Sequence, residues 1–532
     1  CMYGVYELLE RYIGWRFFYN KQTDSYLTKD ADDAYYLYDS DHVDIPAGIN
    51  DTQVPSFAYR QGRYTWYYNY DEHAKLRESR SLRNLSKYNG YGSATFSAAV
   101  HGFRDAVNAG VIPDYDYGGY DIGSPQPCYN NEEVIEAAKT YFLGQIEKKI
   151  ASGYEIGKDI TVVDVAQLDS GSFCKCKTCI NAIAKERSGV ASVLYFTNEM
   201  ADAIGEAYPG LWVSMFAYYG TSTPPAKTMP RDNVNVSYCF YNDIDKLTCG
   251  NHTLDGKNCT EHPDDSYGTS NYNYAAEFDR WCQIAKRITV WYYPGNWALN
   301  SITNSTIKTM LKDMRYFSDN GVYGIYPCCS NPKKETDWES IDALMLYLYN
   351  RLLWNAEMTE EEFQAEIDDY LYVLYGEGGK FVGDYYKWLE TTDRIGCWPF
   401  MIAFGNPCDR TDFAKVRDGF ELCLSMFDDA IKYAPSAKAE YGVRLASRSM
   451  YVRGLISVYH DWYENGNDAQ KARYTELWEY FRDLAVSSSY ILSGGKCAVL
   501  SDFDISENIG AMVDRFEGSP TRVSDWYDWQ KY

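Results

Sequence analysis

From residue 51 onward, short apolar runs alternate with stretches of helical period. PSFAYR (55–60) reads as a first short strand, and YGSATFSAAVHGF (91–103), which carries His101, as a second. NEEVIEAAKTYFLGQIEKKIASG (131–153) has the period of a helix, and the apolar run ITVVDVAQLD (160–169) reads as a buried strand. A helix or helix pair over 181–209 follows, with Pro209 near its end. LWVSMFAYYG (211–220), NVNVSYCFYND (233–243), ITVWYYPGNW (288–297) and VYGIYPCC (322–329) complete the strands. IDALMLYLYNRLLW (341–354) is an amphipathic helix. Strands alternating with helices make a mostly parallel sheet. Seven or eight of them over roughly 300 residues predict a (β/α)8 barrel, TIM-like, across 51–356. The rival is an open doubly wound sheet. No Gly-rich phosphate-cradling turn follows the early strands, which counts against nucleotide-binding folds.

The flanks differ. In residues 3–13, Val5, Leu8, Leu9 and Ile13 share one helical face, and WRFFY then reads as a strand. A lone helix and strand cannot bury their apolar faces. Residues 1–50 are therefore expected to be the C-terminal part of a truncated small α/β domain. Residues 357–532 show helical period throughout and predict an all-helical C-terminal domain. Thr359, with Glu362 three residues on, has the form of a capping box.

Composition narrows the function classes. The 532 residues carry a net charge of −24, so nucleic acid and anionic membrane surfaces are poor partners. No apolar run reaches the ~18 residues that a membrane helix needs. Aromatics make up 17 %, with 52 Tyr and 14 Trp. Such side chains fill cores, but their flat faces also stack on sugars while the Tyr hydroxyl stays polar. Fifteen cysteines, an odd number, leave disulfides, reduced buried thiols and a metal clip all open. Asn84, Asn235, Asn251, Asn258 and Asn304 stand in N-glycosylation triplets.

In a (β/α)8 barrel the chemistry lies at the C-terminal strand ends. The residues there are Arg60, His101, Asp169, Tyr218, Tyr219, Asp243, Trp291, Tyr293, Asn296 and Trp297, with Glu335 and Glu339 in a later loop. The set is acidic, aromatic and amide-rich, with no Ser-His-Asp or Cys-His arrangement. Paired carboxylates among aromatics are what glycoside hydrolysis needs, one protonating the departing oxygen and one stabilising or attacking the sugar centre. In substrate-assisted enzymes a carboxylate instead orients the sugar's own acetamide. Each residue has a plainer role: Asp169 as a helix or turn cap, His101 as a core histidine, Glu335 and Glu339 as solvated charges, Trp291 as barrel core. Cys174, Cys176 and Cys179 have the short spacing used by disulfides and by zinc; a structural zinc takes four ligands and three are at hand, so a fourth would come from far away in the chain, and a disulfide among them or with a distant cysteine is an equal alternative. Cys328 and Cys329 are further candidate partners.

Three segments carry a resemblance. YGVYELLERYIGWRFFY resembles the close of the N-terminal domain in glycosidases of α-glucuronidase-like and hexosaminidase-like architecture. DVAQLDSGSFCKCKTC with YFTNEMADAI, and YLYNRLLWNAEMTEEEF with VLYGEGGKFVGDYY, resemble a large bacterial family, domain of unknown function 4838. Part of that family is glycoside hydrolase family 163, endo-β-N-acetylglucosaminidases acting on N-glycans of glycoproteins. The resemblance implies a barrel with a carbohydrate site around Asp169. Asp169 is followed by Ser170 and not by Glu, so a neighbouring Asp-Glu pair is absent. A second carboxylate must then come from another strand, with Glu335, Glu339, Asp243 and Asp245 as the options and Asp169, Glu335 and Glu339 taken as the catalytic set. The implied protein is a secreted or cell-surface bacterial hydrolase with an oligosaccharide or glycoprotein glycan as partner. It requires no cofactor, and a structural zinc is open but not favoured. The rival is a catalytically silent carbohydrate-binding or structural surface protein on the same barrel. Nothing in the sequence fixes the oligomeric state.

Overall fold

The computed structural model describes residues 2–16, 36–37, 44–60, 101–113, 125–240, 272–292, 307–327 and 343–391, with isolated positions between 428 and 472. Strands β1 (Trp15–Arg16) and β2 (Tyr36–Leu37) form a small antiparallel pair. Six further strands, all parallel, build one curled sheet, a half-barrel: β3 (Tyr59–Arg60), β4 (Val162–Asp164), β5 (Trp212–Ala217), β6 (Val234–Cys239), β7 (Arg287–Tyr292) and β8 (Gly324–Pro327).

The order across the sheet is β3-β8-β7-β6-β5-β4. The first strand pairs with the last, Tyr59 beside Gly324, and the others follow in chain order. That is the neighbour order of a barrel, whereas a doubly wound sheet reverses at a switch point. The expected eight-stranded closed barrel is not reached among the described residues, where β3 and β4 are the two edges. The strand expected over 91–103 lies outside the described residues up to position 100. Its last residues form a corner at His101 and the start of helix α2 (Phe103–Asn108).

The three central strands show why their sequences read so clearly. Alternate residues point to opposite faces. Tyr238 packs outward on Phe278 of a flanking helix, with ring centroids 5.3 Å apart. Asn235, on the other face, donates to Ser214 Oγ at 3.1 Å and to Thr289 Oγ1 at 3.0 Å. This polar belt joins β5, β6 and β7, and all three residues are buried. Because both faces are covered, the runs are apolar-rich and β-branched instead of strictly alternating. The Asn235 glycosylation triplet is thus inside the fold. Below the belt, the Arg287 guanidinium lies between Trp212 at 3.6 Å and Tyr323 at 4.0 Å, at the N-terminal ends of the strands.

Helix α3 (Glu132–Ala151) starts at Asn131, whose side chain accepts from Glu133 N at 2.9 Å. The segment 181–209 is a pair, α4 (Lys177–Glu186) and α5 (Ala191–Ala207), parted at Arg187 with φ 52°. Helices α6 (Tyr272–Ile284), α7 (Ile307–Asp319) and α8 (Ala343–Trp354) follow the later strands. The capping box opens α9 (Glu360–Tyr375): Glu362 N donates to Thr359 Oγ1 at 3.1 Å, and Thr359 N to Glu362 Oε2 at 2.8 Å. Helix α10 (Gly379–Thr391) ends the continuous region, and the helices expected further on lie outside the described residues save for isolated positions.

The N-terminal helix α1 (Met2–Tyr12) has its expected apolar face only partly covered. Leu9 packs on the core, while Val5 and Leu8 are 56 % and 37 % exposed. Ion pairs hold it as well. Arg351 of α8 donates to Glu10 Oε1 at 2.8 Å and also pairs with Glu366 of α9, and Arg16 pairs with Asp369. Tyr347 adds a 2.5 Å hydrogen bond to Glu366.

Candidate functional site

Strand β4 runs on in extended form past Asp164, with Val165 N donating to Ser214 O at 3.1 Å. Asp169 follows, at the C-terminal side of the sheet. Its backbone is held on both sides by one buried side chain, Gln126. Gln126 Nε2 donates to Leu168 O at 2.5 Å and to Ser170 O at 2.9 Å, and its Oε1 accepts from Leu168 N at 3.1 Å. Tyr129 OH donates to the same Oε1 at 2.8 Å, fixing which way the amide faces. The chain around Asp169 thereby gains strand-like bonds from a loop.

A second amide joins β4 to β5. Gln167 Nε2 donates to Phe216 O at 3.1 Å and to Thr221 Oγ1 at 2.9 Å. The Thr221 hydroxyl donates to Tyr218 O at 2.8 Å and accepts from Tyr218 N at 3.1 Å. This locks the tight turn Tyr219–Thr221 and aims Tyr218 at Asp169, whose Oδ1 accepts from Tyr218 OH at 3.1 Å. The loop between α4 and α5 presses on the same turn. A Cβ on Gly189 would lie 2.1 Å from Gly220 O, so the contact admits only glycine.

His101 completes the group. Its backbone has φ 59°, a region uncommon for a non-glycine residue and often found at functional sites. The next residue, Gly102, sits against β4, where a Cβ would meet Asp164 O at 2.0 Å. His101 Nδ1 lies 2.5 Å from Gln167 O. A carbonyl only accepts, so Nδ1 carries the proton and donates. Nε2 then faces Asp169 Oδ1 at 4.0 Å. Burial pulls the imidazole below its ordinary pKa of 6.5, against the opposing effect of Asp169. The ring is therefore neutral at neutral pH, with its Nε2 lone pair toward the acid.

Aromatic rings continue from this group into the sheet. His101 lies 4.8 Å from Phe216, Phe216 lies 5.4 Å from Trp291, and Trp291 lies 4.5 Å from Tyr326. Trp291 is buried and forms interior wall. Arg60 is also buried; Nη1 donates to Phe57 O at 2.9 Å and the guanidinium lies over Trp354. The structure thus brings together Asp169, His101 and Tyr218 and ties Arg60 into packing. Tyr219 contributes backbone to the tight turn. Asp243, Tyr293, Asn296, Trp297, Glu335 and Glu339 lie outside the described residues.

Behind Asp169 the loop carries Cys174, Cys176 and Cys179, and a fourth cysteine joins them. Cys128, two residues past Gln126, places its sulfur 3.8 Å from Cys176 Sγ and 3.7 Å from Cys179 Sγ. The four Sγ atoms all lie within 4.8 Å of one another. Cys176 caps the N-terminus of α4, and the bond it accepts from Cys179 N brings its thiol down to about 7. Cys328 and Cys329 lie outside the described residues. Gln126 and Cys128 stand in PQPCYN, a stretch that reads only as a loop; a cysteine just before a helix start was its one signal.

The arrangement offers an acid that is 28 % exposed, a hydroxyl bonded to it and a neutral imidazole, at the strand ends where barrel enzymes place their chemistry. The family model described as a domain of unknown function, DUF4838, matches residues 31–387. The chain belongs to the DUF4838 family. No curated protein matches this DUF4838 chain. Among solved structures, a GH138 enzyme targeting pectin rhamnogalacturonan II aligns at 10 % identity with a TM-score of 0.31. The alignment covers 82 % of the DUF4838 chain, which spans 63 % of that enzyme's length.

Proposed function

We propose that this DUF4838 chain is a glycoside hydrolase acting on N-acetylhexosamine-containing glycans, as an endo-β-N-acetylglucosaminidase on the N-glycans of host glycoproteins. The observation that carries the reading is Asp169, an accessible acid held rigidly at the mouth of the parallel sheet, with Tyr218 and His101 on its Oδ1 side. A carboxylate with a donor already on one oxygen is suited to take a substrate N–H on the other. In that role Asp169 accepts from the sugar's acetamide and orients it, so that the acetamide oxygen attacks the anomeric carbon. The departing oxygen then needs its proton from elsewhere, for which Glu335, Glu339 and Asp243 are the candidates. Tyr219, Tyr293, Asn296 and Trp297 complete the proposed substrate side, while Arg60 and Trp291, both buried, support it from within. Family resemblance around DVAQLDSGSFCKCKTC supplies the N-glycan part of the reading.

Asp169→Asn tests it on N-glycoproteins. Loss of an orienting carboxylate predicts a fall in turnover of about a hundredfold or more in a folded protein. An activated aryl glycoside separates the two roles. If Asp169 orients the acetamide, the variant fails on this substrate as well. If Asp169 is the proton donor, the good leaving group restores turnover. Glycan binding by the wild-type chain with no product after long incubation would overturn the reading in favour of a binding protein.

A further inference from the structure

Two segments that are distant in sequence bring four sulfurs to one point. The separations of 3.7 and 3.8 Å are far longer than the ~2.05 Å of a disulfide. These two match the edges of a tetrahedral site, since with Zn–S bonds of ~2.3 Å its sulfurs lie about 3.8 Å apart, and all four sulfurs here lie within 4.8 Å of one another.

The surroundings suit thiolates. Cys176 N points at Cys174 Sγ and Cys179 N at Cys176 Sγ, both at 3.5 Å, and Asn130 Nδ2 donates to Cys179 Sγ at 3.3 Å. Donors of this kind orient metal-bound sulfur and offset its charge. Lys175 and Lys177 alternate with the cysteines, and no acidic residue occurs between Ser170 and Lys185, although the chain as a whole carries −24. The N-terminus of α4 adds its partial positive charge at Cys176. Cys176 is exposed and Cys179 buried, which gives an ion a path in and a closed floor.

We propose that Cys128, Cys174, Cys176 and Cys179 form a tetrathiolate site for one zinc ion. Four protein sulfurs leave no open position for water or substrate, so the ion is structural. It ties the loop that carries Gln126 to the loop that follows Asp169. Gln126 lies two residues before one ligand, and Asp169 five residues before another, so the ion fixes both ends of the clamp on the acid.

The test reads metal and so does not depend on the glycosidase reading. The full chain is expressed in a reducing and in an oxidising host, purified without chelator, and assayed for zinc and for thiol state by intact mass and peptide mapping. One zinc per chain is expected from both hosts, with these four cysteines reduced. Cys282→Ser, at a site apart from the cluster, should keep one zinc. Cys128→Ser and Cys179→Ser should lose it at least tenfold more readily to a competing chelator. Should those variants fail to fold, cobalt(II) exchanged into the wild-type chain decides. Sulfur-to-cobalt charge transfer with intense tetrahedral bands supports the site, and a weak octahedral spectrum overturns it. Wild-type protein without zinc from a zinc-replete host, or disulfides among these four cysteines, would also overturn it.

Discussion

Gln126→Ala isolates what holds Asp169 in place. The substitution deletes four hydrogen bonds: to Leu168 O, to Ser170 O, from Leu168 N and from Tyr129 OH. Each such bond contributes about 1 kcal/mol net, and a buried group left without its partner costs at least that. Ser170 is partly exposed, so water replaces that bond at little cost. The bond from Tyr129 lies outside residues 165–170, so the two bonds to Leu168 set the local loss, about 2 kcal/mol. At ~1.4 kcal/mol per decade, the opening equilibrium of this segment rises roughly thirtyfold. Hydrogen exchange followed by mass spectrometry on peptides spanning 160–175 reads it directly, with peptides from β6 and β7 as internal controls. Faster exchange confined to the segment is expected. Unchanged protection there would refute the clamp, and equal loss in β6 and β7 would show that the residue acts on global stability.

Two further substitutions test neighbouring parts. Glu186 is buried and accepts from Lys227 N at 2.8 Å and from Thr228 N at 3.0 Å. Burial alone would raise its pKa, but the bonds from Thr228 and Lys227 outweigh this and hold it below the usual 4.5. Its contribution to stability is therefore complete above pH 4.5 and is lost as pH falls through the lower folded value. Exchange protection of residues 226–229 should fall in that acid window in the wild type and stay flat with pH in Glu186→Gln. Gly102→Ala forces a methyl against Asp164 O and should displace the His101 corner. The imidazole NMR titration, which burial should hold below the ordinary 6.5 in the wild type, should move toward that value in the variant; an unmoved titration would show that the corner does not depend on this contact.

The strands of the sheet were legible because their residues obey local rules. β5, β6 and β7 are covered on both faces, and their Val, Ile, Tyr and Trp content announces it. The position of Asp169 was legible because the apolar run stops just before it, and that of Tyr218 because β5 ends beside it. The supports of the site were not. Gln126 acts on Leu168 from 42 positions away, and Cys128 meets Cys179 from 51 away. A glutamine or cysteine in a proline-bearing loop has no periodicity to betray it; its role exists only once the loop folds against β4. Only the last three residues of the run 91–103 are described, and there the left-handed φ of His101 and the bare Gly102 turn the chain into a corner, which a strand pattern does not announce. At the N-terminus, the apolar pattern of α1 gave no sign of the ion pairs through which Glu10 and Arg16 join Arg351 and Asp369.

The Ser214–Asn235–Thr289 belt bears on how this protein can be made. Asn235-Val236-Ser237 is an acceptor triplet, and a secretory host that glycosylates such triplets meets it while the chain is still extended. A sugar attached there cannot share the interior with two strand neighbours, so modification and folding exclude each other at this asparagine. Yield from a glycosylating host is thereby set by a race that a bacterial host does not run. Ser237→Ala removes the acceptor signal and leaves the asparagine to its two hydroxyl partners.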